Sequence, residues 1–308
     1  MKVLMTCPEI YVGVRAVAIN GEALGLWKFI SLEELKKEVL KDYDLVIFGA
    51  FVDKYLDLLP FCKKKAFCWT SSPGQVEMSG GGYVEIDFLN KIMVLLKEKK
   101  VDYVFIGSKE LFECLKNDGI FWFPYPFSIR LLDRFIPDNP GFIPDSVGLF
   151  APFHPRKNHF VQIHAFRLSN LKKAELVLHT NTKLKTFGNI VYTPWLPDEE
   201  YYKLIANMKI TLQIFHCESF AYSAVESVML GTIPIVSPCI QQNLDLPDQV
   251  RIKNPDSPVE ISKKIDEIIE LSPEAYASLI RECQKRVANI IVRNNKELKL
   301  LLERISKL

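Results

Sequence analysis

Strand-like segments alternate with helix-like segments along this chain of 308 residues, and the alternation occurs twice. The first series has short apolar runs at 3–6, 45–48, 66–69, 103–106 and 120–123, with helical patterns at 32–40, 84–97 and 110–116. The second has runs at 147–150, 176–179, 190–193, 210–215 and 233–236, with helical patterns at 160–171, 198–207, 222–230, 258–269 and 273–289. Because strands that alternate with helices usually pair in parallel, each series predicts one α/β unit.

A proline-rich segment separates the two series. Residues 137–145 (PDNPGFIPD) hold three prolines and one glycine, the residues that interrupt regular structure most strongly. We therefore expect a Rossmann-like N-terminal domain at 1–136, a linker at 137–145 and a Rossmann-like C-terminal domain at 146–289. Residues 290–308 form a predicted terminal helix with apolar side chains on more than one face.

The segment 216–226 (HCESFAYSAVE) carries the strongest functional signal in the chain. It follows the apolar run 210–215, and helical spacing begins inside it and continues to Gly231. In a parallel α/β sheet, the turn between a strand end and the next helix lies where ligands bind. The first N–H groups of that helix favour an anion, and Glu218 and Glu226 can accept hydrogen bonds from hydroxyl groups. A nucleotide sugar offers both the anion and the hydroxyl groups, because the sugar and the ribose carry hydroxyls on either side of its diphosphate.

Two glutamates eight positions apart are not specific by themselves. Among the 22 glutamates, two other pairs share this spacing, Glu77/Glu85 and Glu274/Glu282. Only Glu218 and Glu226 lie at a predicted crossing from strand to helix, with a Gly-x-x-Pro segment beyond the second glutamate. The alternative interpretation is that Glu218 caps the helix and Glu226 is a solvated helix residue.

Two adjacent cations follow the first strand of the second series. Arg156 and Lys157 stand in the segment FHPRKN, between the run 147–150 and the next helical pattern. Cations at the start of a helix suit a diphosphate. The alternative is a surface pair that binds nothing. The glycines at 80–82 lack the lysine of a phosphate-binding loop, so we assign them to a loop on the acceptor side.

These segments resemble the retaining glycosyltransferases of the GT-B fold, especially glycosyltransferase family 4 and its E-x7-E signature. The match covers most of the chain in order and spacing, and its specific motifs lie between Lys157 and Pro234. The resemblance implies an α/β protein of the GT-B fold, with two Rossmann-like domains facing each other across a cleft. It also implies that the last helix, 290–308, can cross back to the N-terminal domain.

The resemblance assigns a role to each residue of the two motifs. Glu218 would accept hydrogen bonds from hydroxyls of the donor sugar, and Glu226 from those of the ribose. Backbone N–H groups in the turn between them would bind the sugar and the diphosphate, at Ser219, Phe220, Ala221 and Tyr222. Arg156 and Lys157 would neutralise the leaving diphosphate, so that neither a metal nor another cofactor is required.

Further positions follow from the same resemblance. Trp195 would lie against the nucleobase, and Gly13, in the turn after the first strand, would face the donor phosphate and the acceptor. Ala151 departs from the pattern, since the family has an arginine there, and Arg156 takes that role in our interpretation. The acceptor side is predicted separately, from a polar loop at 69–83 that carries Ser71, Ser72, Gln75 and Glu77.

Two other arrangements invite a metal-site hypothesis and do not support one. Asp42 and Asp44 form a D-x-D motif, but at the amino-terminal entry of a strand, opposite the ligand-binding end. His154, His159 and His164 are five residues apart, which spreads them around a helix instead of along one face. No metal site is predicted.

Composition narrows the class of protein. The formal charge is +2, from 39 basic and 37 acidic residues, so the composition does not indicate a basic surface for binding nucleic acid. Seven cysteines without a C-x-x-C motif are typical of a reducing compartment. No apolar run reaches the ~20 residues of a membrane span. We expect a soluble cytoplasmic protein, and weak contact with a membrane surface remains compatible with the sequence.

Together with the resemblance, which implies retention and metal independence, these residues predict a glycosyltransferase that moves a hexose from a nucleotide sugar to an acceptor hydroxyl. The acceptor can be a sugar, a lipid-linked molecule or a protein. Two alternatives stay open: a non-catalytic binding or partner subunit with the GT-B fold, and another GT-B enzyme such as a nucleotide-sugar epimerase. Release of nucleoside diphosphate on mixing with candidate donors would separate the catalytic class from the non-catalytic one.

Overall fold

The structure is a computed structural model that describes residues 1–72, 82–136, 146–171, 175–180, 182 and 189–308. The chain divides into two compact units, one formed by 1–131 with 291–308 and the other by 132–290. Each unit contains one parallel β-sheet. The predicted α/β class is therefore confirmed. The predicted linker, 137–145, lies outside the described residues.

Six parallel strands form the sheet of the first unit: β1 Val3–Thr6, β2 Lys28–Phe29, β3 Leu45–Gly49, β4 Lys65–Trp69, β5 Tyr103–Ile106 and β6 Ile120–Trp122. Its helices are α1 Val12–Ala23, α2 Gly82–Lys97 and α3 Lys109–Leu115. The strand order is β2-β1-β3-β4-β5-β6. Residues of β1 and β3 are buried along their whole length, as expected for central parallel strands covered on both faces.

One helix prediction in the first unit was wrong. The pattern at 32–40 predicted a helix, but the structure has only a 3-10 helix there, Lys37–Asp42. Leu32 and Leu40, at the two ends of the pattern, are both buried. The apolar residues of this segment therefore pack into the core from short turns and not from one face of a helix.

Helix α1 and strand β2 were not predicted. The sequence of α1, VGVRAVAINGEA, contains two glycines and four β-branched residues, which lower helix propensity. Tertiary packing explains why one of these positions, 21, is occupied by glycine. A Cβ on Gly21 would come within 1.8 Å of the Trp27 ring, whose Nε1 donates to the Ala18 carbonyl at 2.9 Å.

Five parallel strands form the sheet of the second unit: β7 Val147–Phe150, β8 Leu176–His179, β9 Ile190–Thr193, β10 Ile210–Gln213 and β11 Ile233–Val236. Its helices are α4 His159–Leu168, α5 Asp198–Ala206, α6 Tyr222–Met229, α7 Pro238–Leu244, α8 Pro258–Ile269 and the start of α9 Pro273–Lys307. All five predicted strands are present, and α7 is an addition.

The order of the second sheet, β11-β10-β7-β8-β9, makes β7 and β10 neighbours. Ile210 pairs with Val147, and Thr211 with Gly148. The chain leaves β7 toward β8 and β9 and then returns to the other side of β7. The strand order therefore reverses between β7 and β10, and the carboxyl ends of strands at such a point are where α/β sheets bind ligands.

The last helix, α9, is 35 residues long and joins the predicted helix 273–289 and the predicted terminal helix 290–308 into one continuous helix. Its residues from 291 onward belong to the first unit. There the Asn295 side chain accepts the N–H of Phe127 at 3.1 Å and donates to its carbonyl at 2.9 Å. Leu298 and Ile305 are completely buried. Among the described residues, no helix is both long and apolar enough to cross a bilayer.

Candidate active site

The loop after β7 presents Arg156 and Lys157. Pro155–Lys157 form one 3-10 turn, which ends at Asn158 with φ 53°. Asparagine adopts this left-handed conformation more readily than most non-glycine residues, because its short polar side chain bonds locally. Helix α4 begins at the next residue. The structure thus places both cations immediately before a helix, at the carboxyl end of β7.

A buried glutamine connects this loop to the loop after β10. The Gln162 amide nitrogen donates to the carbonyls of Lys157 at 2.7 Å and Asn158 at 3.3 Å. Its Oε1 accepts the N–H of Ile214 at 3.2 Å. Because Gln162 has no solvent exposure, these bonds satisfy groups that water cannot reach. They hold the two loops in one relative position.

Glu218 pairs with both cations. Its Oε2 accepts a hydrogen bond from Arg156 Nη1 at 3.0 Å and another from Lys157 Nζ. The side chains are 19% exposed for Arg156, 8% for Lys157 and 9% for Glu218. Lys157 Nζ also lies 3.8 Å from the centroid of the Phe215 ring, a cation–π contact. Two positive charges and one negative charge thus form a buried cluster with a net charge of +1.

The charge state of Glu218 follows from this cluster. Burial alone raises the pKa of its carboxyl group, but the charges of Lys157 and Arg156 and their hydrogen bonds together lower it more. The pKa of Glu218 therefore lies below its ordinary value, and the side chain is a carboxylate at neutral pH. An ionised carboxylate only accepts hydrogen bonds, which suits a hydroxyl-bearing ligand.

The turn before α6 contains the four backbone positions assigned to the sugar and diphosphate. The N-terminal cap of α6 is Ala221, with no side-chain capping bond, so Glu218 does not cap this helix. Oε1 of Glu218 instead accepts the N–H of Ser219 at 3.2 Å, within the turn. The Tyr222 N–H donates to the Phe220 carbonyl at 3.0 Å.

Glu226 is buried on α6 and does not face solvent. It is 7% exposed, and its Oε2 accepts a hydrogen bond from the Tyr201 hydroxyl at 2.9 Å. Burial raises the pKa of Glu226 to about 7, with a further increase from the charge of Asp198, while the Tyr201 bond acts in the opposite direction. The alternative of a solvated helix residue does not describe Glu226.

An aromatic stack lies beside Tyr201. The Trp195 ring, after β9, stacks on His179 with a centroid distance of 4.8 Å, and His179 contacts Tyr201 at 5.2 Å. His179 Nε2 accepts the N–H of Leu196 at 3.1 Å, and burial lowers the pKa of His179 to about 4, so the ring is neutral. Trp195 remains 45% exposed. Packed side chains therefore connect Trp195 to the Glu226 carboxylate.

The acceptor-side candidates and Gly13 belong to the first unit. Gly13 is exposed and lies inside the first turn of α1, and not in a loop as expected. Ser71 and Ser72 follow β4 and are half-buried, whereas Gln75 and Glu77 lie outside the described residues. The remaining candidates all lie in the second unit, at the loops after β7, β9 and β10 and along α6.

No group of three or more histidine, cysteine, aspartate or glutamate side chains that could hold a metal ion occurs in the part of the chain that the structure describes. Asp44 has a structural role, since its Oδ2 accepts the N–H of Lys2 at 2.7 Å. His159 is buried in α4, and its Nε2 lies 3.3 Å from the Ala151 carbonyl.

Sequence reasoning missed Gln162, His179 and Tyr201. None belongs to a motif, because each acts through a strand or helix that is distant in sequence. A faint signal existed for Tyr201, which lies four residues before the buried Ile205 and so on the same face of α5. A polar group on the buried face of a helix needs a partner, and here the partner is Glu226.

The sequence matches no protein-family model, and no curated protein matches it. Solved structures do resemble it. HepE from Anabaena in complex with UDP and glucose superimposes with a TM-score of 0.71 at 14% identity, over 100% of both chains. Sucrose-phosphate synthase from Thermosynechococcus elongatus gives 0.67 at 13%, over 100% of this chain and 98% of that one. Trehalose-6-phosphate synthase, studied for glycosyl transfer with retention, gives 0.65 at 9%, over 100% and 99%.

The fold is GT-B. Because the sequence identities are this low, the similarity to these structures shows the fold alone. The two parallel sheets described above agree with that fold. The prediction of a GT-B protein with two Rossmann-like domains is confirmed. Membership of family 4 and the role of the E-x7-E motif stay predictions.

Proposed function

We propose that this GT-B protein is a glycosyltransferase that moves a hexose from a nucleotide sugar to an acceptor hydroxyl, with retention and without a metal ion. The observation that carries the proposal is the buried cluster of Arg156, Lys157 and Glu218 at the point where the second sheet reverses its strand order. Two cations suit a diphosphate, and a carboxylate beside them suits sugar hydroxyls.

The leaving diphosphate explains the need for the two cations. As the bond between the anomeric carbon and the diphosphate oxygen breaks, negative charge builds on that oxygen. Lys157 is held beforehand by the Phe215 ring and by the Gln162 bond to its carbonyl, and Arg156 by Glu218, so little reorganisation is required at the moment of transfer. Glu218 would position the sugar through its hydroxyls. The N–H groups of Phe220 and Ala221 and the amino-terminal end of α6 would add dipoles that favour an anion. Those of Ser219 and Tyr222 instead bond Glu218 Oε1 and the Phe220 carbonyl.

The nucleoside would lie along the other residues of the second unit. Glu226 would accept hydrogen bonds from the ribose, with Tyr201 holding its Oε2 in place. The exposed Trp195 ring offers a flat apolar surface to the base. HepE binds UDP and UDP-glucose, which makes UDP-sugars the first donors to test.

The acceptor would bind on the first unit, with Ser71, Ser72, Gln75 and Glu77 of the predicted polar loop as candidates. Gly13 stays a candidate for the donor phosphate as well as for the acceptor. The identity of the acceptor stays a proposal, as does the cytoplasmic location. The free thiol form of all seven cysteines is compatible with a reducing compartment. The function is tested by incubating the protein with UDP-glucose, ADP-glucose and GDP-mannose and measuring release of the nucleoside diphosphate. No release from any nucleotide sugar, with or without an added acceptor, would favour the non-catalytic partner subunit.

Activity should not depend on a divalent cation. With Arg156 and Lys157 neutralising the diphosphate, treatment with EDTA should leave turnover within about twofold of the untreated value. Release of nucleoside diphosphate measured before and after chelation checks this. A loss of turnover that manganese or magnesium restores would show that a metal supplies the charge instead.

Donor binding should weaken as the pH falls below 7. Protonation of Glu226 would turn one of its acceptor oxygens into a donor and weaken its bonds to ribose hydroxyls, and its pKa is about 7, so the donor KM should rise on the acid side. The Tyr201 bond lowers this pKa, while Asp198 raises it. Tyr201→Phe should therefore raise the pKa of Glu226, so that the increase in donor KM on acidification begins at a higher pH than in the wild type. The value of kcat at pH 8.5 should change little.

The matched control is Tyr192→Phe, which removes a hydroxyl that bonds the Thr180 carbonyl at 3.3 Å in the same unit. Its profile should coincide with that of the wild type. A profile of Tyr201→Phe that also coincides with the wild type would show that Glu226 does not control donor binding.

A further inference from the structure

Glu218 is the counter-ion of both cations. Its Oε2 accepts from Arg156 and Lys157 together, and the three side chains are at least four-fifths buried. A diphosphate arriving at this site therefore does not find two unpaired cations. It meets cations that already share a carboxylate.

The cations cannot easily move away from Glu218 to meet a ligand elsewhere. Lys157 is held over the Phe215 ring, and its main-chain carbonyl is bonded to Gln162. Arg156 Nη1 also donates to the Cys217 carbonyl at 3.5 Å, and the Arg156 carbonyl accepts the N–H of His216 at 2.9 Å. A diphosphate must approach this fixed cluster, where its own negative charges lie close to the Glu218 carboxylate. In a site of low polarity, like charges at short range are costly.

From this geometry we infer that Glu218 competes with the diphosphate for Arg156 and Lys157, and thereby favours the nucleotide sugar over the nucleoside diphosphate product. The inference rests on the proposed function. An intact donor offers its sugar hydroxyls to Glu218 as further hydrogen-bond donors, which offsets the weaker pairing with cations that also bind the diphosphate. The product has lost the sugar and offers no such hydrogen bonds. After transfer, the repulsion between Glu218 and the diphosphate is no longer offset, and the diphosphate leaves.

This role differs from that of a residue that only contacts the sugar. Such a residue has no effect on the affinity of a ligand without a sugar. A built-in competitor weakens the affinity of every diphosphate, including inorganic pyrophosphate, which has neither base nor sugar. The two roles are therefore separated by ligands that carry the diphosphate alone.

The test measures binding of inorganic pyrophosphate and of UDP, ADP and GDP by isothermal titration calorimetry at fixed ionic strength. The variant Glu218→Gln removes the charge and keeps the size. We expect it to bind pyrophosphate, and whichever nucleoside diphosphate the wild type prefers, about tenfold more tightly than the wild type does. The control Glu282→Gln removes one negative charge from an exposed pair with Arg286 in the same unit, and its affinities should equal those of the wild type.

Affinities of a folded Glu218→Gln variant that equal or fall below those of the wild type would overturn the inference. If this variant does not fold, Glu218→Asp withdraws the carboxylate by one methylene and should tighten binding in the same direction, about threefold. Unchanged binding by that variant would also overturn it. If the wild type binds neither pyrophosphate nor any of the three nucleoside diphosphates, the proposed function itself fails.

Discussion

Replacing Lys157 with methionine is expected to lower activity far more than stability. Methionine keeps much of the length and the contact with Phe215 but removes the ammonium group from the buried cluster. Glu218 then retains only Arg156 as a cation. Because Arg156 still compensates Glu218, and because burial lowers the pKa of the Lys157 ammonium, the free energy of unfolding should fall by much less than the ~3 kcal/mol that an uncompensated buried charge costs. Lost neutralisation of the leaving diphosphate should lower kcat by about a hundredfold or more, as loss of a preorganised donor does elsewhere.

Urea unfolding and steady-state kinetics with the preferred donor measure these two effects. The matched control is Lys203→Met, because Lys203 pairs with Glu199 one helical turn away and 60% of its side chain is exposed. That change should alter the free energy of unfolding by less than about 1 kcal/mol and leave kcat unchanged. A Lys157→Met variant with the turnover of the wild type would exclude Lys157 from catalysis.

Substitutions of the two glutamates of the motif should have different effects on the kinetic constants. Glu218 is placed at the sugar, where its contacts can strengthen as the bond to the diphosphate breaks, so Glu218→Gln should lower kcat about tenfold or more. Glu226 is placed at the ribose, which does not change during the reaction and contributes uniform binding. Glu226→Gln should therefore raise the donor KM and leave kcat nearly unchanged.

Single-turnover kinetics separate the chemical step from release of the product, which matters for Glu218→Gln because its affinity for diphosphate is expected to rise. A slower single turnover in this variant supports the role at the sugar. A folded Glu218→Gln variant with wild-type kcat would remove Glu218 from the mechanism. Equal kinetic effects of the two substitutions would contradict the separate placement of sugar and ribose.

The short apolar runs were the most predictable part of the fold. The run at 147–150 became β7 with the same bounds, and the pattern at 258–269 became α8. The strand is predictable because burial on both faces of a parallel sheet requires continuous apolar residues, and α8 because its buried isoleucines, Ile261, Ile265 and Ile268, recur at helical spacing. Helix α1 could not be predicted in the same way, since its glycines and β-branched residues oppose helix formation and only contacts such as that of Gly21 with Trp27 favour it.

The sequence by itself determined the two α/β series, the candidate cations and the spacing of Glu218 and Glu226. Each of these features is set by residues that are close together in the sequence. Only the tertiary structure decided that β7 lies beside β10, which brings Arg156 and Lys157 to Glu218 across some sixty residues. It also decided that Tyr201 bonds Glu226 and that Gln162 joins the two loops. Strand order and the burial of polar side chains result from packing the whole chain at once, and no local pattern of residues specifies them.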